Sequence, residues 1–173
     1  MKFDFAELTK QQRVKVIGNL PYNISSPILF HLLPCADQID DIVVMLQKEV
    51  VDRMVADKGN KQYGRLSVML QQRFDIEMQF KVPPTAFFPP PKVESAIVRL
   101  TPLAEPVGQL KSHSDFEFIV KQAFSQRRKT IRNTLKGFIN SEQMESLGID
   151  PSCRAETLSV EQFCALANLY IPS

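Results

Sequence analysis

The sequence is short of the residues that most often announce a chemistry. Its three cysteines, Cys35, Cys153 and Cys164, are odd in number, far apart and in no CxxC pair, which argues against a disulfide framework or a zinc site and suits a reducing cytosol. There are two histidines. His31 falls in a helical stretch and His113 in a polar linker, neither beside a second ligand, so both read as structural or solvated and no metal is expected. No Ser/His/Asp or Cys/His pair has a local signature, no carboxylate pair stands out, and Gly59 and Gly64 make no phosphate-binding loop. No apolar run reaches membrane-spanning length. Met1-Lys2-Phe3-Asp4-Phe5 lacks a signal peptide's layout, and the carboxyl end carries no anchor motif. The expectation from these absences is a cytoplasmic protein.

What is present is a globular composition. With 173 residues, 44% hydrophobic and 23% charged, the chain allows one ordinary domain or a modest domain with a small appendage. The net charge of +2 hides an uneven distribution. Between Ile119 and Phe138 there are six basic residues (Lys121, Arg127, Arg128, Lys129, Arg132 and Lys136) and no acidic one, a local cationic surface inside a nearly neutral total.

Residues 1–12 read as a loop feeding a first strand at 13–18. Asn23 or Ser25 is placed to cap a helix from about Pro27, with Ile28, Leu29, Leu32 and Leu33 at helical spacing. The run Ile42 to Leu46 predicts a strand covered on both faces, and Gln47 to Arg53 turns helical with Glu49 and Arg53 paired at i,i+4. Arg65 to Phe74 predicts a helix, Ile76 to Val82 a strand of period two, and Ser95 to Leu100 another strand reached through a proline-rich connection. This order is α/β. Pro102, Pro106 and Gly108 break the pattern and mark a domain boundary, giving domains at 1–104 and 105–173. Beyond it Phe116, Ile119, Val120, Ala123 and Phe124 form one helical stripe and Ile131, Leu135 and Phe138 a second. Ser141 is placed to cap a short helix ended by Gly148. Ser159 with Gln162 forms a capping box, and Leu158 with Phe163 a hydrophobic staple, for a last helix over 160–170.

Three constellations carry possible chemistry. Asn19-Leu20-Pro21-Tyr22 follows a strand, at the carboxyl edge where open α/β sheets bind ligands; it is either a plain turn or a site. As a site, Pro21 stiffens the loop so that backbone carbonyls face outward with the Asn19 acceptor, holding the N–H bonds of an exocyclic amine, while Tyr22 stacks the base. That suits methyl transfer to an extruded adenine. Phe87-Phe88-Pro89-Pro90-Pro91-Lys92-Val93 is either a core plug or a rigid mount for a second stacking aromatic. Around Phe124 to Asn133, Arg128, Arg132 and Lys136 fall on one helical face, away from Ile131 and Leu135, a stripe either simply solvated or suited to phosphates.

Together, Ile17 to Ser25, Leu46 to Val50, Tyr63 to Val68, Phe87 to Ala96 and Phe124 to Asn133 resemble, in order, the rRNA adenine dimethyltransferase family, and most closely its bacterial small-subunit branch. The resemblance implies dimethylation of two adjacent adenosines in small-subunit rRNA during ribosome biogenesis, using S-adenosylmethionine, with the immature small ribosomal subunit as partner. Asn19 matches the family residue beside both methyl donor and target amine, Leu20 and Pro21 its carbonyl-presenting pair, Tyr22 and Phe87 its base-stacking aromatics. Arg127, Arg128, Lys129, Arg132 and Lys136 are the expected RNA-binding set. The family's glycine-rich loop and the acids that hold the cofactor's ribose and adenine have no counterpart in this sequence. The implied fold is therefore the carboxyl-terminal half of a Rossmann-like methyltransferase sheet followed by a small all-α domain, inactive alone, with most of the cofactor site outside this chain. Strand 13–18 would then expose an unpaired edge and an apolar face, inviting self-association or marginal stability. Two alternatives stand beside this reading: a non-catalytic RNA-binding or ribosome-assembly module, and a large-subunit rRNA methyltransferase of the antibiotic-resistance branch.

Overall fold

A computed structural model describes residues 13–172; the loop expected over 1–12 lies outside the described residues. The chain divides into two compact units, one of Met1–Val55 and Arg73–Glu105, the other of Ala56–Gln72 and Pro106–Ser173.

The first unit is built on a four-stranded sheet. Strand β1 (Val14–Asn19) leads through helix α1 (Ser25–Leu32) and a 3-10 turn (Leu33–Gln38) to β2 (Ile39–Gln47), followed by helix α2 (Lys48–Met54). Strands β3 (Phe74–Val82) and β4 (Ser95–Pro102) complete it in the order β1-β2-β4-β3. β1 runs parallel to β2, whereas β4 is antiparallel to both β2 and β3. One sheet face buries Ile42, Val44, Leu46, Ala96, Val98 and Leu100 completely. The register places Asn19, Met45, Ile97 and Phe80 in one row across the other face, with Ile17 beside Val43 in the adjacent row.

That second face departs from the expected two-sided burial of Ile42 to Leu46. Val43 and Met45 are only half-buried, Ile17 is 79% exposed and Phe80 60% exposed. The pairing slips between Met78 and Phe80. A bulge inserts one residue and so reverses which face each later side chain takes; it rotates Phe80 away from the face of Ile76 and Met78 that simple alternation assigns it. Glu49 and Arg53 do pair across one turn of α2, at 3.0 Å. α1 begins at Ser25, earlier than expected, and is capped by neither Asn23 nor Ser25: Ile24 holds the cap position without a side-chain bond, and the Ser25 hydroxyl donates instead to the Tyr22 carbonyl at 3.2 Å.

The second unit contains α3 (Arg65–Gln71), α4 (His113–Ala123), α5 (Ile131–Thr134), α6 (Ser141–Ser146) and α7 (Val160–Leu169). Segment 56–72 clusters here, although its sequence position lies within the expected first domain. Val68, Met69 and Leu70 are buried, Gly59 donates its N–H to the Glu156 carbonyl at 2.6 Å, and the Arg127 guanidinium holds the Lys61 carbonyl. The stripe Phe116, Ile119, Val120 and Ala123 forms the buried face of α4, whose Ser112 cap accepts the Asp115 N–H at 3.2 Å. At α7 the capping box forms as expected: Ser159 Oγ accepts from Gln162 N at 3.3 Å and Gln162 Oε1 from Ser159 N at 2.9 Å. Leu158 and Phe163 are buried beside it. The cap of α6 is Asn140 rather than Ser141.

Candidate functional site

The parallel strands β1 and β2 end side by side, and the turn that follows β1 is tied down at two points. Asn19, the last residue of β1, is exposed opposite Met45. The next amide, Leu20 N–H, donates to the Met45 carbonyl at 3.2 Å, so the pairing continues one residue past the strand. Gly18 lies inside β1. A Cβ there would meet only Leu20 Cδ2 at 3.5 Å, an ordinary contact, so the chain's own packing does not demand glycine. The Pro21 carbonyl accepts the Ile24 N–H at 3.2 Å, which uses one of its two lone pairs.

Tyr22 is half-buried, and its hydroxyl shares a 2.8 Å hydrogen bond with Ser95 Oγ at the start of β4. Ser95 is fully buried and pairs in register with Gln47 and Val82. The tether therefore fixes the turn to the edge at which β2 and β3 end and β4 begins. Sequence reasoning found no role for Ser95; it stands inside the Phe87 to Ala96 motif but 73 residues from its partner.

The connection from β3 to β4 lies on this same edge. It starts with a 3-10 turn (Pro84–Ala86), in which Phe87 N donates to the Pro84 carbonyl at 3.2 Å, and contains a cis Phe88-Pro89 bond. Phe87 is half-buried, whereas Phe88 is 101% exposed. The loop closes where Lys48 N donates to the Glu94 carbonyl at 2.9 Å, beside a cleft of about 270 Å3 lined by Gln47, Lys48, Glu49, Asp52, Val93 and Glu94. Within it the Lys48 ammonium donates to Asp52 at 2.6 Å, a bond that raises the Lys48 pKa above its ordinary value.

In the second unit all five expected RNA-binding residues, Arg127, Arg128, Lys129, Arg132 and Lys136, are exposed. They do not share a helical face. α4 stops at Ala123, where Ser125 Oγ donates to the Gln122 carbonyl at 2.6 Å, and residues 125–129 are turns and bends. α5 has four residues and starts no earlier than Ile131, because its first amides find partners elsewhere: Ile131 N donates to the Cys153 carbonyl at 2.8 Å and Arg132 N to the Pro151 carbonyl at 3.1 Å. Gly137, at φ 87°, then turns the chain away. Arg128 thus precedes the helix and Lys136 follows it. Of the expected stripe, Ile131 and Leu135 are buried but Phe138 is 37% exposed, and Ile139 is buried beyond it. Among the described residues no three His, Cys, Asp or Glu side chains gather as a metal site.

A family model described as ribosomal RNA adenine dimethylase matches residues 1–171. The ribosomal RNA small subunit methyltransferase A of Laribacter hongkongensis is 52% identical over 97% of this chain and 64% of its own length. Its namesake in Hydrogenovibrio crunogenus is 55% identical over 97% and 65%, and that of Idiomarina loihiensis 51% over 97% and 58%. The chain therefore spans less than two thirds of the length of these relatives. A dimethyladenosine transferase from Plasmodium falciparum superposes with a TM-score of 0.80 at 25% identity, covering 95% of this chain and 67% of that one. The 23S rRNA methyltransferase ErmE superposes at 0.67 with 27% identity, covering 92% and 66%. Matched by the family model over nearly its whole length and by relatives at half identity or more, the chain belongs to the ribosomal RNA adenine dimethylase family.

Proposed function

We propose that this chain is the base-holding part of an S-adenosylmethionine-dependent enzyme that dimethylates two adjacent adenosines of small-subunit rRNA during ribosome biogenesis. The carrying observation is the Asn19–Tyr22 turn, pinned to the sheet edge by the Leu20 amide and the Tyr22 hydroxyl, in a chain whose relatives are named small subunit methyltransferases. The Asn19 side-chain oxygen and the Leu20 and Pro21 carbonyls would accept the N–H bonds of the target amine, leaving its lone pair aimed outward. Positioning of this kind accelerates an in-line displacement without a strong acid or base. The same acceptors would keep their hydrogen bonds to the N–H of the alkylated, positively charged nitrogen until water takes its proton. Tyr22 and Phe87 would stack the extruded base.

S-adenosylmethionine, when bound, supplies the electrophilic methyl group. Asn19 is the residue of this chain that we place against it. The six glycines, at 18, 59, 64, 108, 137 and 148, form no glycine-rich loop, so we place most of the cofactor site outside this chain and read the sheet as the carboxyl-terminal half of a Rossmann-like domain, with a helical RNA-binding unit after it. Arg127, Arg128, Lys129, Arg132 and Lys136 would meet rRNA phosphates. The exposed Ile17 on β1, which pairs only with β2 among the described residues, makes self-association along β1 the expected behaviour of the chain alone. No helix among the described residues is long and apolar enough to cross a membrane, and a cytoplasmic site of action fits the rRNA substrate.

The test is a chimera in which this chain replaces the matching segment of the Laribacter relative. It should transfer labelled methyl groups to under-methylated small ribosomal subunits, and the chain alone should bind no S-adenosylmethionine in calorimetry. In the chimera, Asn19→Ala should lower turnover roughly 100-fold, the scale of losing one preorganised polar contact, with RNA affinity kept. Arg128→Ala with Arg132→Ala should instead weaken RNA binding and flatten its salt dependence by about two phosphates' worth. A chimera that methylates only large-subunit rRNA, or an active Asn19→Ala variant with weakened RNA binding, would overturn these roles.

A further inference from the structure

We infer that the groove around α5 and the start of α6 binds one unpaired RNA nucleotide, phosphate and base together, at a point separate from the adenine held by Asn19–Tyr22. The inference deepens the rRNA reading and rests on it. The groove has a volume of about 690 Å3 and is walled by Arg132, Asn133, Lys136, Phe138, Asn140 and Gln143 among others.

Each wall offers a different kind of contact. Arg132 and Lys136 are exposed, and among the described residues neither enters an ion pair. Asp150 feels the positive charge of Arg132, but its own carboxylate accepts the Ser152 hydroxyl at 2.7 Å and the Ser152 amide at 2.8 Å, bonds that hold its pKa down. Both cations are thus available to a phosphate. The reciprocal cap of α6 uses one lone pair on each side-chain oxygen of Asn140 and Gln143, in bonds of 2.8 and 2.9 Å. Their NH2 groups remain to donate. Asn133 is the converse: its Nδ2 donates to Thr130 Oγ1 at 3.1 Å, so its carbonyl oxygen remains as an acceptor.

Phe138 supplies the apolar surface. It is 37% exposed, yet it is braced edge-on by Phe118 at 4.9 Å and by Tyr170 at 6.0 Å, which stack on each other at 5.0 Å. A ring already held in place loses little freedom when a base covers it. A bare phosphate would use the two cations but neither Phe138 nor the Asn133 acceptor, and an acidic peptide, though its backbone N–H groups can reach that acceptor, brings carboxylates and no flat face to lay on Phe138. An unstacked base with its phosphate uses all of them, because a base edge carries donors and acceptors and its face stacks. A base-paired nucleotide does not present that face.

The experiment compares the affinity of this chain for an oligoadenylate RNA decamer with that for an abasic ribose-phosphate decamer, by fluorescence anisotropy at fixed salt. The chain should prefer the base-bearing strand. Phe138→Ala should reduce that preference at least about fivefold, the lower end of what one stacked base contributes, and Phe87→Ala should reduce it by an independent factor, the double variant showing the product. Asn133→Ala, at an exposed position, should act in the same direction and decides the matter if circular dichroism shows Phe138→Ala to be unfolded. A preference unchanged within twofold in the folded groove variants overturns the nucleotide site while leaving RNA binding intact. Failure of the chain to bind either strand overturns the rRNA reading and the groove with it.

Discussion

Tyr22 is held by a contact that no local pattern announces. Its hydroxyl bonds Ser95 at 2.8 Å across 73 residues of sequence, and Ser95 is fully buried. The aromatic at position 22 stands out in the sequence as a candidate for stacking because it follows Asn-Leu-Pro; the serine does not stand out, since a buried hydroxyl is recognised only by the partner that reaches it. Tyr22→Phe strands the Ser95 hydroxyl without its partner, a loss of about 1–3 kcal/mol, whereas Ser95→Ala leaves a half-exposed phenol that water can satisfy. Urea unfolding of the two single variants and the double variant should give a coupling of about 1 kcal/mol, Tyr22→Phe being the costlier single change. Additive effects would mean that the tether is not formed in solution. Two neighbouring phenylalanines make a related point. Phe87 and Phe88 are the same residue in the same proline-rich run, yet one is half-buried and the other fully exposed; which ring turns outward depends on loop dihedrals that composition does not encode.

Among the elements, those bounded by their own residues were readable and those bounded by distant ones were not. α7 has its capping box and staple residues within five residues of its start; the box forms, and Leu158 and Phe163 are both buried. α5 begins where the Cys153 and Pro151 carbonyls wait for its amides, some twenty residues downstream, so the basic run reads as a helix and is built as turn, helix and turn. β3 hides its bulge because Phe80 continues the alternation of Ile76 and Met78, and only the pairing with Ile97 reveals the slip. α7 also carries a titration worth measuring. Cys164 is buried on this helix, its Sγ donating to the Val107 carbonyl at 3.3 Å, and burial pushes its pKa up to about 12 from 9.0. Because the folded value lies above the unfolded one, the native chain holds a proton that the unfolded chain releases. The contribution is complete below about pH 9 and is lost as pH rises towards about 12. Denaturation midpoints should fall across that window, with Cys164→Ala flattening the slope; buried Tyr63, its pKa raised mainly by desolvation, contributes a fall in the same sense at its upper end. An identical slope in Cys164→Ala would assign the whole effect to other groups.

At the scale of the molecule, the α/β order and the break near Pro102 to Gly108 were visible in the sequence, while the membership of residues 56–72 was not. Their helical period is sound, but periodicity does not say which core an apolar face will join. The sheet leaves Ile17 79% exposed and Phe80 60% exposed. Sedimentation of the chain alone should show concentration-dependent association, reduced by Ile17→Lys, which puts a charge on the strand without disturbing a buried residue. A monomer at all concentrations, unchanged by Ile17→Lys, would contradict that expectation. The exchange of segments between units carries a consequence in time. Residues 56–72 and 106–173 form one unit, and 73–105 belong to the other, so α3 is made well before the helices it shares a core with. Between Gln71 and Val160 a ribosome adds about 90 residues, which at ordinary synthesis rates takes on the order of ten seconds. For that interval Val68, Met69 and Leu70 have no finished core to enter, and this stretch is where a nascent-chain chaperone would find a long-lasting hold on the protein.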